Sequence, residues 1–253
     1  MSSYHDYPII EFDKVSFSYS GQDDLIKDMD IAVSGGQFIG LLGANGSGKS
    51  TILKLLSGFL RPSSGVVRLW GKNLHTYRNR DRAKLISYLP QVLDMNIPFK
   101  VKELVSMGLY PYEIMPQLTV EEAIDMVGLR DKAEAGLTSL SGGERRRAFI
   151  AMTLLQGAGI LLFDEPLANL DIKYQVELLC MLRELRDKKG ITIIMALHDI
   201  NMALKFERVI LIRNGRILRS GPPEATLTEE AIRDAFDLDV EIKTHEGRTY
   251  IHY

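Results

Sequence analysis

The stretch that most constrains the fold is rich in glycine and consists of Gly43, Ala44, Asn45, Gly46, Ser47, Gly48, Lys49, Ser50 and Thr51. It follows an apolar run, Phe38 to Leu42, that predicts a buried strand, and it precedes Ile52 to Leu56, which predicts a helix. Glycine, four residues, glycine, lysine and serine in that context are typical of a phosphate-binding loop. The glycines let several backbone N–H groups face one anion, and the helix adds the positive end of its dipole. The sequence therefore predicts a nucleoside triphosphate site.

Two side chains of this loop have predicted roles at the phosphates. We expect Lys49 to reach the β- and γ-phosphates as a point charge and Ser50 to offer its hydroxyl to Mg²⁺. The alternative is a glycine-rich turn that happens to contain a lysine and a serine. The strand–loop–helix context favours the phosphate-binding interpretation.

Length and composition exclude few functions. A chain of 253 residues can form one large domain or two modest ones and can bury a sizeable core. A formal charge of −2 gives no electrostatic argument for binding nucleic acid or an anionic membrane. A basic cluster, Arg145, Arg146 and Arg147, is interpreted as a solvated helix face rather than a nucleic-acid site.

The remaining composition predicts a soluble cytoplasmic protein. A single cysteine, Cys180, cannot form an intrachain disulfide, and its apolar neighbours predict a small buried side chain. No stretch approaches the roughly 18 uninterrupted apolar residues of a membrane span. Any role at a membrane would therefore need a partner.

Periodicity predicts a mixed organisation along the chain. Loosely alternating apolar residues at 9–18 are typical of half-buried antiparallel strands, and 25–33 predicts another strand. Helical patterns between apolar strands predict a parallel sheet with crossover helices, and Asn214-Gly215 predicts a hairpin. We expect one domain over 1–253, with an inserted helical subdomain at 95–155 and a short C-terminal extension at 222–253.

Two carboxylates follow the apolar run Ile160 to Phe163. Ligands of parallel sheets bind at the carboxyl ends of the strands, so Asp164 is expected to hold Mg²⁺ directly or through water. Glu165 is expected to accept a proton from the attacking water, or to orient it. The alternative, a solvated turn or helix cap, is disfavoured by the presence of the phosphate loop.

A second glycine-containing helix start lies far from the first in sequence. Ser141 and Glu144 have the spacing of a capping box, and Gly142 and Gly143 between them allow an anion to approach backbone N–H groups. A chain with two separate phosphate-type sites suggests a nucleotide held between two copies.

Leu140 to Glu144 resembles the signature motif of ABC-type ATPases, and other motifs of that family follow in order over essentially the whole chain. The resemblance implies that Tyr19 stacks on adenine and that Gln91 contacts Mg²⁺ and the attacking water. It also places Asp171 in the loop that crosses the dimer interface and His198 at the γ-phosphate. Ala168-Asn169 departs from the more usual Ser-Ala before that aspartate.

The resemblance also implies a fold and partners. The fold class is α/β, a P-loop NTPase core with a RecA-like parallel sheet, an antiparallel β subdomain and an inserted α-helical subdomain. Two copies are expected to pair head-to-tail, each ATP lying between the phosphate loop of one copy and Ser141 to Gly143 of the other. The partners are integral-membrane permease subunits, which dock on residues 91–118, and indirectly an extracytoplasmic solute-binding protein. No nucleic acid is expected.

Residues 105–111 resemble the segment of importer ATPases that serve iron–siderophore, haem and cobalamin permeases, although Leu109 and Tyr110 depart from the commoner pair there. The expected location is the cytoplasmic face of the inner membrane, through the permease. Zinc, manganese or molybdate import and an exporter remain alternatives. A soluble ABC ATPase of DNA repair or translation would need a long coiled-coil insertion or two cassettes, and this sequence has neither.

Overall fold

The computed structural model describes residues 8–20, 23–93, 98–112, 118–168, 170–245 and 248–253. It contains two compact units, Met1–Thr76 with Thr192–Tyr253, and Tyr77–Ile191. The strands in chain order are β1 (Ile10–Phe17), β2 (Ile26–Val33), β3 (Phe38–Leu42), β4 (Ser64–Leu69), β5 (Lys72–Asn73), β6 (Ile86–Leu89), β7 (Ile160–Asp164), β8 (Thr192–Leu197), β9 (Arg208–Arg213), β10 (Arg216–Gly221), β11 (Glu241–His245) and β12 (Arg248–His252). The helices are α1 (Lys49–Leu56), α2 (Asn79–Leu85), α3 (Val101–Ser106), α4 (Val120–Met126), α5 (Gly142–Leu155), α6 (Ile172–Lys189), α7 (Ile200–Ala203), α8 (Pro223–Thr226) and α9 (Glu229–Phe236).

In the first unit, an antiparallel sheet has the strand order β2-β1-β4-β5. Its alternating side chains bury one face, with Ile10, Phe12, Val15 and Phe17 of β1 in the core. This confirms the antiparallel strands predicted from period-two hydrophobicity.

The same unit contains the strand that feeds the glycine-rich loop. The five residues of β3 are all buried, and β3 pairs in parallel with β8 and β9. Such a continuous apolar run is typical of a parallel strand covered on both faces. The predicted hairpin is also confirmed, since β9 and β10 pair antiparallel around Asn214 and Gly215, whose φ angles are 49° and 73°.

The second unit pairs β6 with β7 in parallel and places α3, α4 and α5 between them in the sequence. Thr119 caps α4 and Ser141 caps α5, each in a capping box with the glutamate three residues later. The cap at Ser141 confirms the capping box predicted there; in both caps the hydroxyl satisfies a backbone N–H that the helix itself cannot pair.

The long helix α6 buries one face and exposes another. Leu178, Leu179 and Leu182 are buried, whereas Val176 is 43% exposed and Cys180 is exposed. The prediction of a buried cysteine was therefore wrong, because the helix turns its leucines inward and leaves Cys180 on the opposite side. None of the helices in the described ranges is long and apolar enough to cross a membrane.

Candidate functional site

The glycine-rich loop joins β3 to α1, and its backbone requires glycine at several positions. A Cβ on Gly43 would lie 2.4 Å from the carbonyl oxygen of Ile212. Gly48, with φ of 108°, would bring a Cβ to 2.7 Å from Ile26 Cδ1. The backbone at Gly43 and Gly48 thus passes closer to its neighbours than a residue with a side chain allows, and the absence of side chains there leaves the backbone open to a ligand.

Lys49 is the first residue of α1, only 5% exposed, and its side chain reaches back over the loop. Its Nζ donates hydrogen bonds to the carbonyl oxygens of Gly43 at 2.7 Å and Ala44 at 3.1 Å. No side chain caps the start of α1, and the buried Ser47 Oγ has no hydrogen-bond partner among the described residues. A buried cation, an uncapped helix start and an unsatisfied hydroxyl fit a phosphate group. Ser50 follows on the first turn of α1, half-buried, and Thr51 is buried.

The loop and His198 leave the same end of adjacent parallel strands. Leu42 of β3 pairs with Leu197 of β8, so Gly43 and His198 are the next residues at one edge of the sheet. His198 is exposed, and the neighbouring Asp199 caps α7 by accepting a hydrogen bond from Met202 N at 3.1 Å. The unit therefore brings Gly43 and His198, two predicted phosphate contacts that are far apart in the sequence, to the same end of neighbouring strands.

Tyr19 follows β1, and its side chain is the predicted adenine platform. It is 40% exposed, and its ring meets Phe17 edge-on, with centroids 4.9 Å apart. This T-shaped contact holds the ring while it stays partly exposed, which suits stacking on a base.

In the second unit, the two predicted carboxylates are buried at the end of β7. Asp164 is 1% exposed and Glu165 is 6% exposed, which excludes a solvated turn. The register of β6 on β7 places Gln91 at the same edge, and its Nε2 donates to Glu165 Oε2 at 2.6 Å. Tyr88 Oη lies 3.4 Å from Asp164 Oδ2. The structure thus brings Gln91, Asp164 and Glu165 together.

The signature residues form the N-terminus of α5. Ser141 Oγ accepts a hydrogen bond from Glu144 N at 3.3 Å, and Glu144 Oε2 accepts one from Ser141 N at 2.9 Å. Glu144 also accepts from Lys132 Nζ, and these bonds, that of Lys132 foremost, lower the pKa of Glu144 to about 2. Gly142 is exposed, with no heavy atom within 4 Å of the position of a Cβ. The helix start is therefore capped internally yet open to a second anion.

Asp171 lies beside this helix start. It is the N-cap residue of α6, and it lines a cavity of about 350 Å³ together with Ser141, Gly143 and Tyr174. The predicted signature and dimer-interface residues of one chain therefore face a common cavity in this unit.

Sequence reasoning missed one residue of this site, Arg146. The basic cluster is not a solvated helix face, because Arg146 is 4% exposed and Arg147 is 7% exposed. The guanidinium of Arg147 donates to the carbonyls of Val127 and Gly128 and stacks on Tyr174, with its Cζ 3.9 Å from the ring centroid.

Arg146 instead donates to backbone carbonyls around the buried carboxylates. Burial lowers its pKa, while the charges of Asp164 and Glu165 oppose that effect. A signal existed in the sequence: Arg146, Phe149, Ile150 and Thr153 have the spacing of one helix face, and all four are buried.

Comparison with known proteins identifies the family. Residues 26–168 match the ABC transporter family. The petrobactin import ATP-binding protein FpuC of Bacillus anthracis is 37% identical over 242 residues, which cover 92% of this chain and 89% of FpuC. The hemin import ATP-binding protein HmuV of Rhodopseudomonas palustris strain HaA2 is 37% identical over 244 residues, 92% of each chain.

Among solved structures, a dimeric ATP-binding cassette, MJ0796 bound to ADP and Pi, superposes with a TM-score of 0.76 at 24% identity. The match covers 85% of this chain and 98% of that chain, and it confirms the predicted P-loop NTPase fold. The chain therefore belongs to the ABC transporter family, as an ATP-binding and ATP-hydrolysing subunit.

Proposed function

We propose that this chain powers the import of an iron–siderophore, haem or a related chelate such as cobalamin. Relatives that align over nearly their whole length are import ATP-binding proteins for petrobactin and hemin. The chain would act at the cytoplasmic face of the membrane, through separate permease subunits. An extracytoplasmic solute-binding protein would deliver the solute to that permease.

The phosphates of ATP would bind to residues 43–51, with Lys49 leaving its two carbonyl contacts to meet the β- and γ-phosphates. Ser50, Gln91 and Asp164 offer a hydroxyl, an amide carbonyl and a carboxylate, which are the hard oxygen ligands that suit Mg²⁺. The Nε2 of Gln91 donates to Glu165, so its carbonyl oxygen can face a metal. When bound, Mg²⁺ would neutralise charge on the phosphate oxygens.

The observation that carries the proposed hydrolysis is the side-chain hydrogen bond from the exposed Gln91 to the buried Glu165, at 2.6 Å. Water attacks the γ-phosphorus, its proton passes to the Glu165 carboxylate, and the bond to ADP breaks. Gln91 holds the carboxylate and water in line, and His198 donates a hydrogen bond to the γ-phosphate. Preorganised donors of this kind stabilise the charge that develops in the transition state.

The other half of each site would come from a second copy. Ser141, Gly142 and Gly143 would contact the γ-phosphate bound to the partner's loop, and Asp171 would cross the interface beside them. On the permease side, Val92 is 83% exposed and Tyr110 is 86% exposed in the predicted docking stretch 91–118. Residues 94–97 and 113–117 of that stretch lie outside the described residues.

Replacing Glu165 by glutamine tests the chemistry. We expect Glu165→Gln to bind ATP normally and to lose about 100- to 10,000-fold in turnover, because the proton acceptor is removed. Turnover is measured by phosphate release at saturating ATP. Unchanged turnover would remove Glu165 from this role.

Affinity purification from membranes tests the transport assignment. A tagged chain, extracted in mild detergent, is expected to bring down an integral-membrane permease. In lipid nanodiscs, the ATPase rate of that complex should rise with a cognate binding protein loaded with a ferric siderophore or hemin. Recovery with ribosomes or DNA ends, and never with a permease, would contradict the proposal.

A further inference from the structure

We propose that Arg146 is a positioning residue for ATP hydrolysis, which holds Gln91 and Glu165 in place without touching ATP. The inference deepens the proposed function and rests on the roles given there to those two residues. Arg146 lies on α5, the helix that begins at the signature residues, so one rigid element would connect the partner-facing helix start to the hydrolytic pair.

Arg146 contacts the backbone of both segments that carry the pair Gln91 and Glu165. Its Nη1 donates to the carbonyl oxygen of Gln91 at 2.9 Å, and its Nη2 donates to those of Asp164 at 2.9 Å and Glu165 at 2.6 Å. Its Nε donates to the carbonyl oxygen of Pro166 at 3.2 Å. A single guanidinium thus fixes the backbone of two segments, which then join again through the Gln91–Glu165 side-chain bond.

The backbone at Glu165 needs such support. Its φ is 53°, in the left-handed region that a residue with a side chain rarely adopts. Two hydrogen bonds from Nη2 to the carbonyls of Asp164 and Glu165 stabilise this turn and therefore aim the carboxylate.

Lysine cannot reproduce this arrangement. The planar guanidinium directs its N–H groups along fixed directions to separate acceptors, whereas an ammonium is a compact point charge at the end of a flexible chain. Arg146→Lys would therefore keep a cation in place but lose the simultaneous contacts to the Gln91 and Glu165 segments.

The experiment compares Arg146→Lys with Arg147→Lys, the same change at the next residue. Both side chains are buried, but the guanidinium of Arg147 donates to the carbonyl oxygens of Val127 and Gly128. ATP affinity, KM, kcat and the melting temperature are measured for each. We expect Arg146→Lys to lower kcat by about 10- to 100-fold, as small misplacements of reacting groups do, with KM and ATP affinity within about twofold. Arg147→Lys should lower the melting temperature by a similar amount but change kcat by less than about threefold.

A kcat for Arg146→Lys within threefold of the native value, or no lower than that of Arg147→Lys, would overturn the inference. A second measurement remains decisive if both variants are unstable. Gln91→Ala combined with Arg146→Lys should lose less kcat than the product of the single losses, because both act through Glu165. If the two losses of kcat simply multiply, Gln91 and Arg146 do not act through the same residue, which would contradict the inference. Loss of turnover in Glu165→Gln with a normal Arg146→Lys refutes only this inference, whereas normal turnover in Glu165→Gln refutes the role proposed for Glu165, on which the inference rests.

Discussion

Two helices of this chain begin at glycine-containing loops, α1 at Gly48 and α5 at Ser141, and the two starts are built differently. The start of α1 has no side-chain cap and surrounds the buried ammonium of Lys49. The start of α5 is closed by its own capping box, in which Glu144 places a negative charge within the first turn.

The difference separates a complete anion site from a supplementary one. At α1, a phosphate meets a buried cation and the positive end of the dipole. At α5, the internal cap already occupies part of the available N–H groups, and Lys132 is paired with Glu144 rather than free to meet an anion. The start of α5 therefore offers an anion less than the start of α1 does, which fits a supplementary contact in a site shared between two copies.

Removing Lys49, the cation at the start of α1, should have the largest effect. We expect Lys49→Ala to weaken ATP binding by about 10- to 150-fold, because a charge-assisted contact to phosphate contributes about 1.5–3 kcal/mol. Binding is measured with a fluorescent ATP analogue. Lys54→Ala, in the last turn of the same helix, is the control and should bind normally. Equal affinities for the two variants would mean that Lys49 does not contact the phosphates.

Blocking the start of α5 at Ser141 should affect ATP hydrolysis but not ATP binding. We expect Ser141→Arg to lower ATP turnover by at least about tenfold, while the isolated chain binds nucleotide within about twofold of normal. The physical reason is that Ser141 is exposed and an arginine there would fill the space meant for the partner's nucleotide. Normal turnover would exclude the shared site.

The smallest effect concerns the pH dependence of the α5 cap. Its hydrogen bonds lower the pKa of Glu144 to about 2 from a usual value of 4.5, so the charged form stabilises the fold above about pH 4.5. This stabilisation is lost as the pH falls from 4.5 toward 2. Glu144→Gln should therefore lose at most about 1 kcal/mol of unfolding free energy at neutral pH.

The difference between the native chain and Glu144→Gln should shrink over the same pH range. Urea titrations at several pH values measure it, and a difference that does not change with pH would show that the carboxylate charge adds nothing to the cap.

Local rules explain why much of this molecule could be predicted. The residues of β3, the Asn214-Gly215 turn and the caps at Thr119 and Ser141 follow from backbone preferences and short-range hydrogen bonds. The two carboxylates after an apolar strand indicated Glu165, and the resemblance to ABC-type ATPases implied Gln91; the structure joins the two side chains directly.

Tertiary contacts explain what could not be predicted. Three consecutive arginines resemble a solvated face by composition, yet Arg146 is buried because distant segments supply its carbonyl acceptors. Short helices such as α7 have too few residues for a hydrophobic period to be recognised. The exposure of Cys180 depends on which side of α6 faces the core, which neighbouring apolar residues alone do not determine.

The central claim is that the phosphate loop is one half of a site completed by Ser141 to Gly143 of a second copy. Sedimentation of Glu165→Gln with ATP and Mg²⁺ tests it most directly, because blocked hydrolysis should hold the closed dimer. We predict a doubling of mass on adding ATP, which disappears when Ser141→Arg is added to the same chain although ATP still binds. A dimer that forms equally well with Ser141→Arg, or a chain that stays monomeric at saturating ATP, would contradict the account.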